Sequence, residues 1–291
     1  MGVLVAHIEL QKPIHGFERF TFINLIPLGT ISVTLFFVLS GFLITFLILQ
    51  ERQQHKSFDL KKFYTRRALR IWPLYFLVIA GAFVIYGKLL STSTLLLIIF
   101  FLPTVAIIQH KLPTMLEPIW SIGIEEQFYL FFPVLFKLDS LKIVFRLLIG
   151  LLIGLQLLKY IAIYFKGQNR YWHFTADYLY YARFDCMILG ALAAFIYFNN
   201  FHQQFMNVIS LNAIYSKTCQ YIIYLLLALY MTGIFFINLP VVHVVLGVLF
   251  TIALLNLGTN EKSIISFKSQ WLKKIGIVSY GLYIIDCKAM Y

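Results

Sequence analysis

LGTISVTLFFVLSGFLITFLIL, residues 28–49, runs without one charged side chain. A helix needs about 20 mostly apolar residues to cross the hydrocarbon core of a bilayer. In lipid every backbone amide must be paired within the segment, so such a run can only be helical. Leu28–Leu49 therefore predicts a spanning helix, and the same pattern recurs along the chain. Further apolar runs are Ile71–Tyr86, Leu95–Ile108, Ile119–Phe136, Ile143–Phe165, Leu179–Phe198, Tyr221–Ile237, Val241–Leu257 and Ile275–Ile285. With the apolar stub Met1–Ala6 they predict an all-α, polytopic membrane helix bundle of about ten segments. The first and last are expected to be incomplete, as if one membrane domain over residues 1–291 were truncated at both ends. A transmembrane β-barrel would need alternating segments of about ten residues, and Leu147–Leu158 and Ile222–Ile237 do not alternate.

Composition agrees. Of 291 residues, 60% are hydrophobic and 12% charged, against about 25% charged in a soluble domain. Mean hydropathy is +0.83. The net charge of +12 suits an anionic membrane face and anionic ligands; a chain this apolar is not expected to bind nucleic acid. Cys186, Cys219 and Cys287 lie too far apart for a disulfide framework or a metal site. The seven histidines, at 7, 15, 55, 110, 173, 202 and 243, show no ligand spacing with cysteines or acids, so no metal is expected. Met1–Ala6 meets His7 and Glu9 with no basic region and no long apolar core, so it is not a signal peptide.

Gln50–Arg70 is the most basic stretch, with Arg52, Lys56, Lys61, Lys62, Arg66, Arg67 and Arg70. The excess of cations in cytoplasmic loops places it inside. Counting every apolar run as a crossing then puts Asn260–Lys274, with its four lysines, outside. A re-entrant Leu95–Ile108 removes that conflict.

Five constellations could carry chemistry. Arg66 and Arg70 share a helix face, and Arg67 and Arg70 are neighbours at i,i+3. Guanidinium groups at a membrane surface either bind lipid headgroups or clamp phosphates with their paired N–H donors. Pro73 suits the start of the next helix. In Trp120-Ser-Ile-Gly-Ile-Glu125-Glu126-Gln-Phe-Tyr129, two carboxylates interrupt an apolar run. Intramembrane acids face a cavity or a partner and mark function unless the stretch lies at the interface. Successive helical residues point about 100° apart, so at most one glutamate faces a site squarely. His7 is a general-base candidate or an interfacial polar residue. Ser40-Gly41 is a small patch in a bulky helix, suited to close helix packing. Arg183 and Asp185 form either an ion pair or a site.

In this order the segments resemble the family-3 membrane O-acyltransferases. The strongest matches are Leu35–Ile44, Phe63–Tyr75 and Trp120–Pro133, with Arg183–Ala194 and Ser279–Ile285 in support; together they cover essentially the whole chain. The resemblance implies a ten-helix bundle in a bacterial cytoplasmic membrane. It implies transfer of an acyl group, most often acetyl, from acyl-CoA to a hydroxyl of an envelope polysaccharide or related glycan, with no permanently bound cofactor. It places His7 as the catalytic histidine and Arg66, Arg67 and Arg70 as the clamp for coenzyme A. Glu125, with Phe128 and Tyr129, falls on the Trp-Ser-Leu-x-x-Glu-x-x-Phe-Tyr signature that begins at Trp120, and could orient His7 or the acceptor. Arg183 and Asp185 fall on the Arg-x-Asp element, and Ser40 lies in the Leu35–Ile44 match.

Departures are specific. The arginine eleven residues before the family's histidine would precede Met1. The family's Gly-Val-Asp is Ser32-Val33-Thr34, and its late histidine is Asp286. They favour, as alternatives, an inactive truncated relative. A transporter or flippase would line its path with the same polar residues, but such proteins often show related halves, and no internal repeat is present.

Overall fold

The computed structural model describes residues 12, 16–18, 25–87, 90–198, 211–232, 241–260 and 262–265. Among them every regular element is helical. In chain order these are α1 (Leu25–His55), α2 (Leu60–Tyr86), α3 (Thr92–Ile99), α4 (Pro103–Ile108), α5 (Trp120–Phe131), α6 (Leu141–Tyr164), α7 (Arg170–Ala182), α8 (Phe184–Tyr197), α9 (Leu211–Tyr215), α10 (Lys217–Met231) and α11 (Val241–Thr259). Tight 3₁₀ turns at Thr114–Ile119 and Phe132–Lys137 flank α5. The expected bundle of membrane helices is therefore present. Among the described residues four stretches are long and apolar enough to cross a membrane: Leu28–His55, Leu60–Val84, Leu141–Tyr164 and Arg170–Tyr197. The stub Met1–Ala6 and the segment Ile275–Ile285 lie outside the described residues.

Exposure follows the solvent. α6 leaves Leu147, Leu151, Ile153 and Leu157 uncovered. Such a surface is a liability in water and the expected one against hydrocarbon. Conversely, α8 is apolar nearly all round, and ten of its fourteen residues are buried; a helix of that kind belongs inside a bundle.

The chain forms two compact units, interleaved along the sequence. Among the described residues, the first draws on those up to 54, 145–152 and those from 183 onward, the second on 55–144 and 153–182. In the first, α8 packs directly on α1. A Cβ added at Gly41 would stand 1.9 Å from the Met187 carbonyl oxygen, and one at Gly190 would stand 1.9 Å from that of Val38. The small patch Ser40-Gly41 is thus a packing device, as its residue types suggest. On another side α11 approaches through Gly247, where a Cβ would meet Leu189 at 2.9 Å, and Cys186 donates to the His243 carbonyl at 3.3 Å.

Three boundaries differ from the sequence expectation. α2 does not begin at Ile71 but at Leu60, capped by Asp59, whose carboxylate accepts from the Lys62 N–H at 3.1 Å. That bond holds the Asp59 carboxyl below its ordinary pKa. Pro73 consequently lies inside the helix rather than at its start; membrane helices tolerate the lost N–H because neighbours re-satisfy the freed carbonyl. At 27 residues and 1.5 Å per residue, α2 is about 40 Å long, longer than the roughly 30 Å hydrocarbon core. Its basic start can therefore remain at the surface while its remainder crosses. Ile119–Phe136 is likewise not one helix: Pro118 and Pro133 turn both its ends into 3₁₀ geometry. The run Leu179–Phe198 breaks at Arg183, which adopts a left-handed backbone with φ 43°.

Leu95–Ile108 is a broken hairpin rather than a crossing, as the charge balance favoured. α3 ends at Ile99, Phe101 turns the chain with φ 58°, and α4 starts at Pro103. The Phe101 ring stacks on Tyr75 at 4.7 Å and meets Trp72 and Phe76, so the tip reaches the middle of α2. α5 runs antiparallel to α2, because Trp72 bonds Glu126 and Tyr64 bonds the Leu130 carbonyl. Trp120 and the preceding loop therefore lie toward the C-terminal end of α2, and so does Ser91. Both ends of the hairpin are on that side, which makes the segment re-entrant.

A broken helix inside a membrane must satisfy its freed carbonyls. Tyr75 donates to the Ile98 carbonyl at 2.7 Å and Gln127 Nε2 to the Phe101 carbonyl at 2.8 Å. Tyr178 in turn donates to Gln127 Oε1. Gly123 makes room for the tip, since a Cβ there would lie 2.6 Å from Pro103. Gln127→Leu should cost about 1–3 kcal/mol, the penalty of an unpaired buried acceptor. A fall in the melting temperature of detergent-solubilised protein reads it, and an unchanged value would mean the carbonyl has another donor.

Candidate functional site

The second unit brings two of the sequence motifs together. α2 supplies Arg66, Arg67 and Arg70 from its first turns, where Asp59 starts the helix in the register that sets them. Arg66 and Arg70 are exposed, and Arg67 is half-buried. The Arg67 guanidinium lies 5.8 Å from the Phe63 ring centre and 5.3 Å from that of Tyr129 on α5. Ring faces attract cations at such distances. Arg67 is thereby ordered by aromatic rings, with its fork of N–H donors available to an anion.

Tyr129 continues the chain of contacts. Its hydroxyl donates to Glu125 Oε1, one helical turn back, at 2.9 Å. Glu125 is 4% exposed, so this bond meets part of a large desolvation cost. Arg67, Tyr129 and Glu125 are thus one contiguous array built from two helices. Trp120 opens α5 and sets its ring edge-on to Tyr181 at 5.3 Å, fixing the start of the helix that carries Glu125.

The two glutamates face different ways, as their angular separation requires. Glu126 accepts from Trp72 Nε1 at 2.8 Å. The sequence gives no sign of this pairing, because the partners are 54 residues apart and each stands beside a more conspicuous motif. Gln127, which anchors the hairpin tip, likewise has no local mark in the sequence. The only sequence hint at either was the cost of polar groups in an apolar run.

Tyr129→Phe separates the two contacts of this array. The ring that faces Arg67 is kept, whereas the donor to buried Glu125 is lost. The expected cost is about 1–3 kcal/mol in stability, read as a lower melting temperature, with Tyr129→Leu costing more. Equal losses in the two variants would mean that the ring contact contributes nothing.

The first unit holds the remaining candidates. Ser40 is buried beside Gly41 in α1. Arg183 is 5% exposed, and its Nη1 donates to Thr34 Oγ1 at 3.2 Å and reaches the Thr30 carbonyl at 3.4 Å. Through these two bonds the arginine meets neutral oxygens of α1. Asp185 is fully buried in the first turn of α8, where the helix dipole favours a carboxylate. His7 and Asp286 lie outside the described residues. Among the described residues no group of three or more metal-ligating side chains is assembled.

A family model described as an acyltransferase domain matches residues 2–286. The peptidoglycan O-acetyltransferase OatA of Listeria monocytogenes is 30% identical over 290 residues, covering 88% of this chain and 44% of its own length. The O-acetyltransferase OatA of Staphylococcus aureus is 30% identical over 216 residues, 68% of this chain and 33% of its own. An uncharacterized protein of Haemophilus influenzae is 33% identical over 186 residues, 57% of this chain and 74% of its own. The chain thus spans less than half the length of the two named acetyltransferases. No solved structure matches it. The chain belongs to the acyltransferase-domain family.

Proposed function

We propose that this chain transfers an acyl group, acetyl, from acyl-CoA to a hydroxyl of a cell-wall polysaccharide, within the bacterial cytoplasmic membrane. The observation that carries this beyond family membership is the array Arg67–Tyr129–Glu125. It joins the basic motif to the Trp-Ser-x-x-x-Glu signature through direct contacts, which a cluster serving only as a topology signal would not need. The named acetyltransferase relatives support acetyl as the group and a wall polymer as the acceptor.

In the reaction an acceptor hydroxyl oxygen bonds to the thioester carbonyl carbon. Its proton passes to the imidazole of His7, the carbon–sulfur bond breaks, and the coenzyme thiolate leaves and is reprotonated. Arg66, Arg67 and Arg70 hold the donor phosphates by charge-assisted hydrogen bonds. Nothing here requires a metal or a resident cofactor; acyl-CoA is a substrate.

The test is the ester-linked acetyl content of isolated wall polysaccharide from cells with the gene intact and deleted, alongside membrane assays with labelled acetyl-CoA. Loss of acetyl on deletion, restored by the gene, supports the assignment. Unchanged acetyl in the wall and no label transfer from acetyl-CoA would overturn it.

A further inference from the structure

Positive charge also gathers at the opposite end of the second unit. A cavity of about 310 Å³ is lined by Ile108, Gln109, Lys111, Arg170, His173 and Phe174. It lies where α4 returns from the hairpin tip and where α7 begins, on the side toward the C-terminal end of α2. The Arg66–Arg70 cluster is at the other end of that helix. If the latter is cytoplasmic, the cavity opens on the outer face.

Cations on that face run against the usual charge distribution of membrane proteins, so topology does not account for them. Local ion pairing accounts for only some. Asp177 takes Lys166 at 2.6 Å and His173 at 3.1 Å. Neither Lys111 nor Arg170 has an ion-pair partner among the described residues. Two cations thus border a cavity beside which Asp177 is already shared by two other groups. The rest of the lining suits a sugar: the Gln109 amide can bond hydroxyls, and Phe174 offers an apolar face. The volume is at the lower end of ligand pockets, about 300–1,000 Å³.

We propose that this cavity binds an acidic sugar residue of the acceptor glycan, with Lys111 and Arg170 holding its carboxylate. The glycan as occupant rests on the acyl-transfer assignment; the preference for an oxyanion rests on the cavity alone. Anionic lipid headgroups carry a comparable charge; the glycan is favoured because the lining joins an amide and a ring face to the two cations in a concave site.

The experiment is calorimetric titration of the full chain in phosphatidylcholine nanodiscs, with no acyl donor present. The ligands are a galacturonate hexasaccharide and its carboxyl-reduced, neutral counterpart. The acidic form should bind about tenfold more tightly, and the preference should fall as salt screens it. The pair Lys111→Gln with Arg170→Gln should remove the preference, and the pair Lys111→Arg with Arg170→Lys should keep it. Equal binding of the two sugars, or an unchanged preference in the glutamine pair, overturns the site. Loss of binding of the neutral sugar as well as the acidic one when phosphatidylglycerol replaces phosphatidylcholine would show that lipid occupies the cavity, and would overturn the glycan assignment. Acetyl transfer is not measured here, so failure of this site leaves the transfer reaction standing, and failure of the reaction leaves this result standing.

Discussion

Gly190→Ala should destabilise the protein by at least about 3 kcal/mol, and Gly41→Ala by a similar amount. At both positions the added Cβ would stand 1.9 Å from a backbone oxygen of the facing helix, far inside van der Waals contact. The obstacle is main chain, so no rotamer change relieves it; α1 and α8 must move apart. Ordinary overpacking costs about 1–3 kcal/mol, and this case lies at the upper end because the displacement opens the buried face of α8. The two substitutions act on one crossing, so their costs should not add: helices separated by the first accommodate the second at less expense. Gly150→Ala and Gly154→Ala provide the contrast. Nothing lies within 4 Å of a Cβ at either site in α6, and alanine favours a helix over glycine by up to about 1 kcal/mol. Thermal unfolding of detergent-extracted protein, followed by size exclusion, reads these four variants and the Gly41→Ala, Gly190→Ala double variant. If Gly190→Ala melted with the parent, the close α1–α8 crossing would be wrong.

That crossing shows which features were legible in the sequence. Ser40-Gly41 announced close packing because small residues stood out in a bulky helix, but its partner, Gly190 with the Met187 backbone, is 149 residues away and carries no local sign. Leu28–Leu49 was legible because its apolar run is continuous. The start of α2 was not, because Lys61, Lys62, Arg66 and Arg67 look like a separate surface stretch and Pro73 like a helix start. The break at Arg183 was hidden for the opposite reason: no glycine or proline marks it, and it is held instead by the arginine's bonds to α1. The hairpin at Leu95–Ile108 left an indirect trace, in the charge conflict that a full crossing would create. Of the candidate site, both motifs could be read residue by residue, but the Arg67–Tyr129 contact and the Trp72–Glu126 bond depend on the antiparallel pairing of α2 with α5. Pairing between distant helices is set by tertiary packing, which no single segment specifies.

The largest expected effect on activity belongs to His7. A general base that takes the acceptor proton during attack contributes about 10²–10⁴-fold, so His7→Ala should lower acetyl transfer by that factor while protein level and melting temperature stay near the parent's. The distribution of roles makes the prediction sharper. Loss of a base present in the transition state lowers kcat and kcat/KM together. Loss of a donor clamp instead raises KM for acyl-CoA, as Arg70→Gln should. Glutamine at position 7 retains polarity and approximate size but accepts no proton at neutral pH, so His7→Gln should be as defective as His7→Ala. Initial rates of label transfer from acetyl-CoA, measured in membranes over a range of donor concentrations, separate the two patterns. A His7→Gln enzyme with full kcat would remove the histidine from the proton-transfer step. A His7→Ala enzyme with raised KM and normal kcat would place it in donor binding, and the base would then have to be sought among the buried carboxylates, Glu125 first.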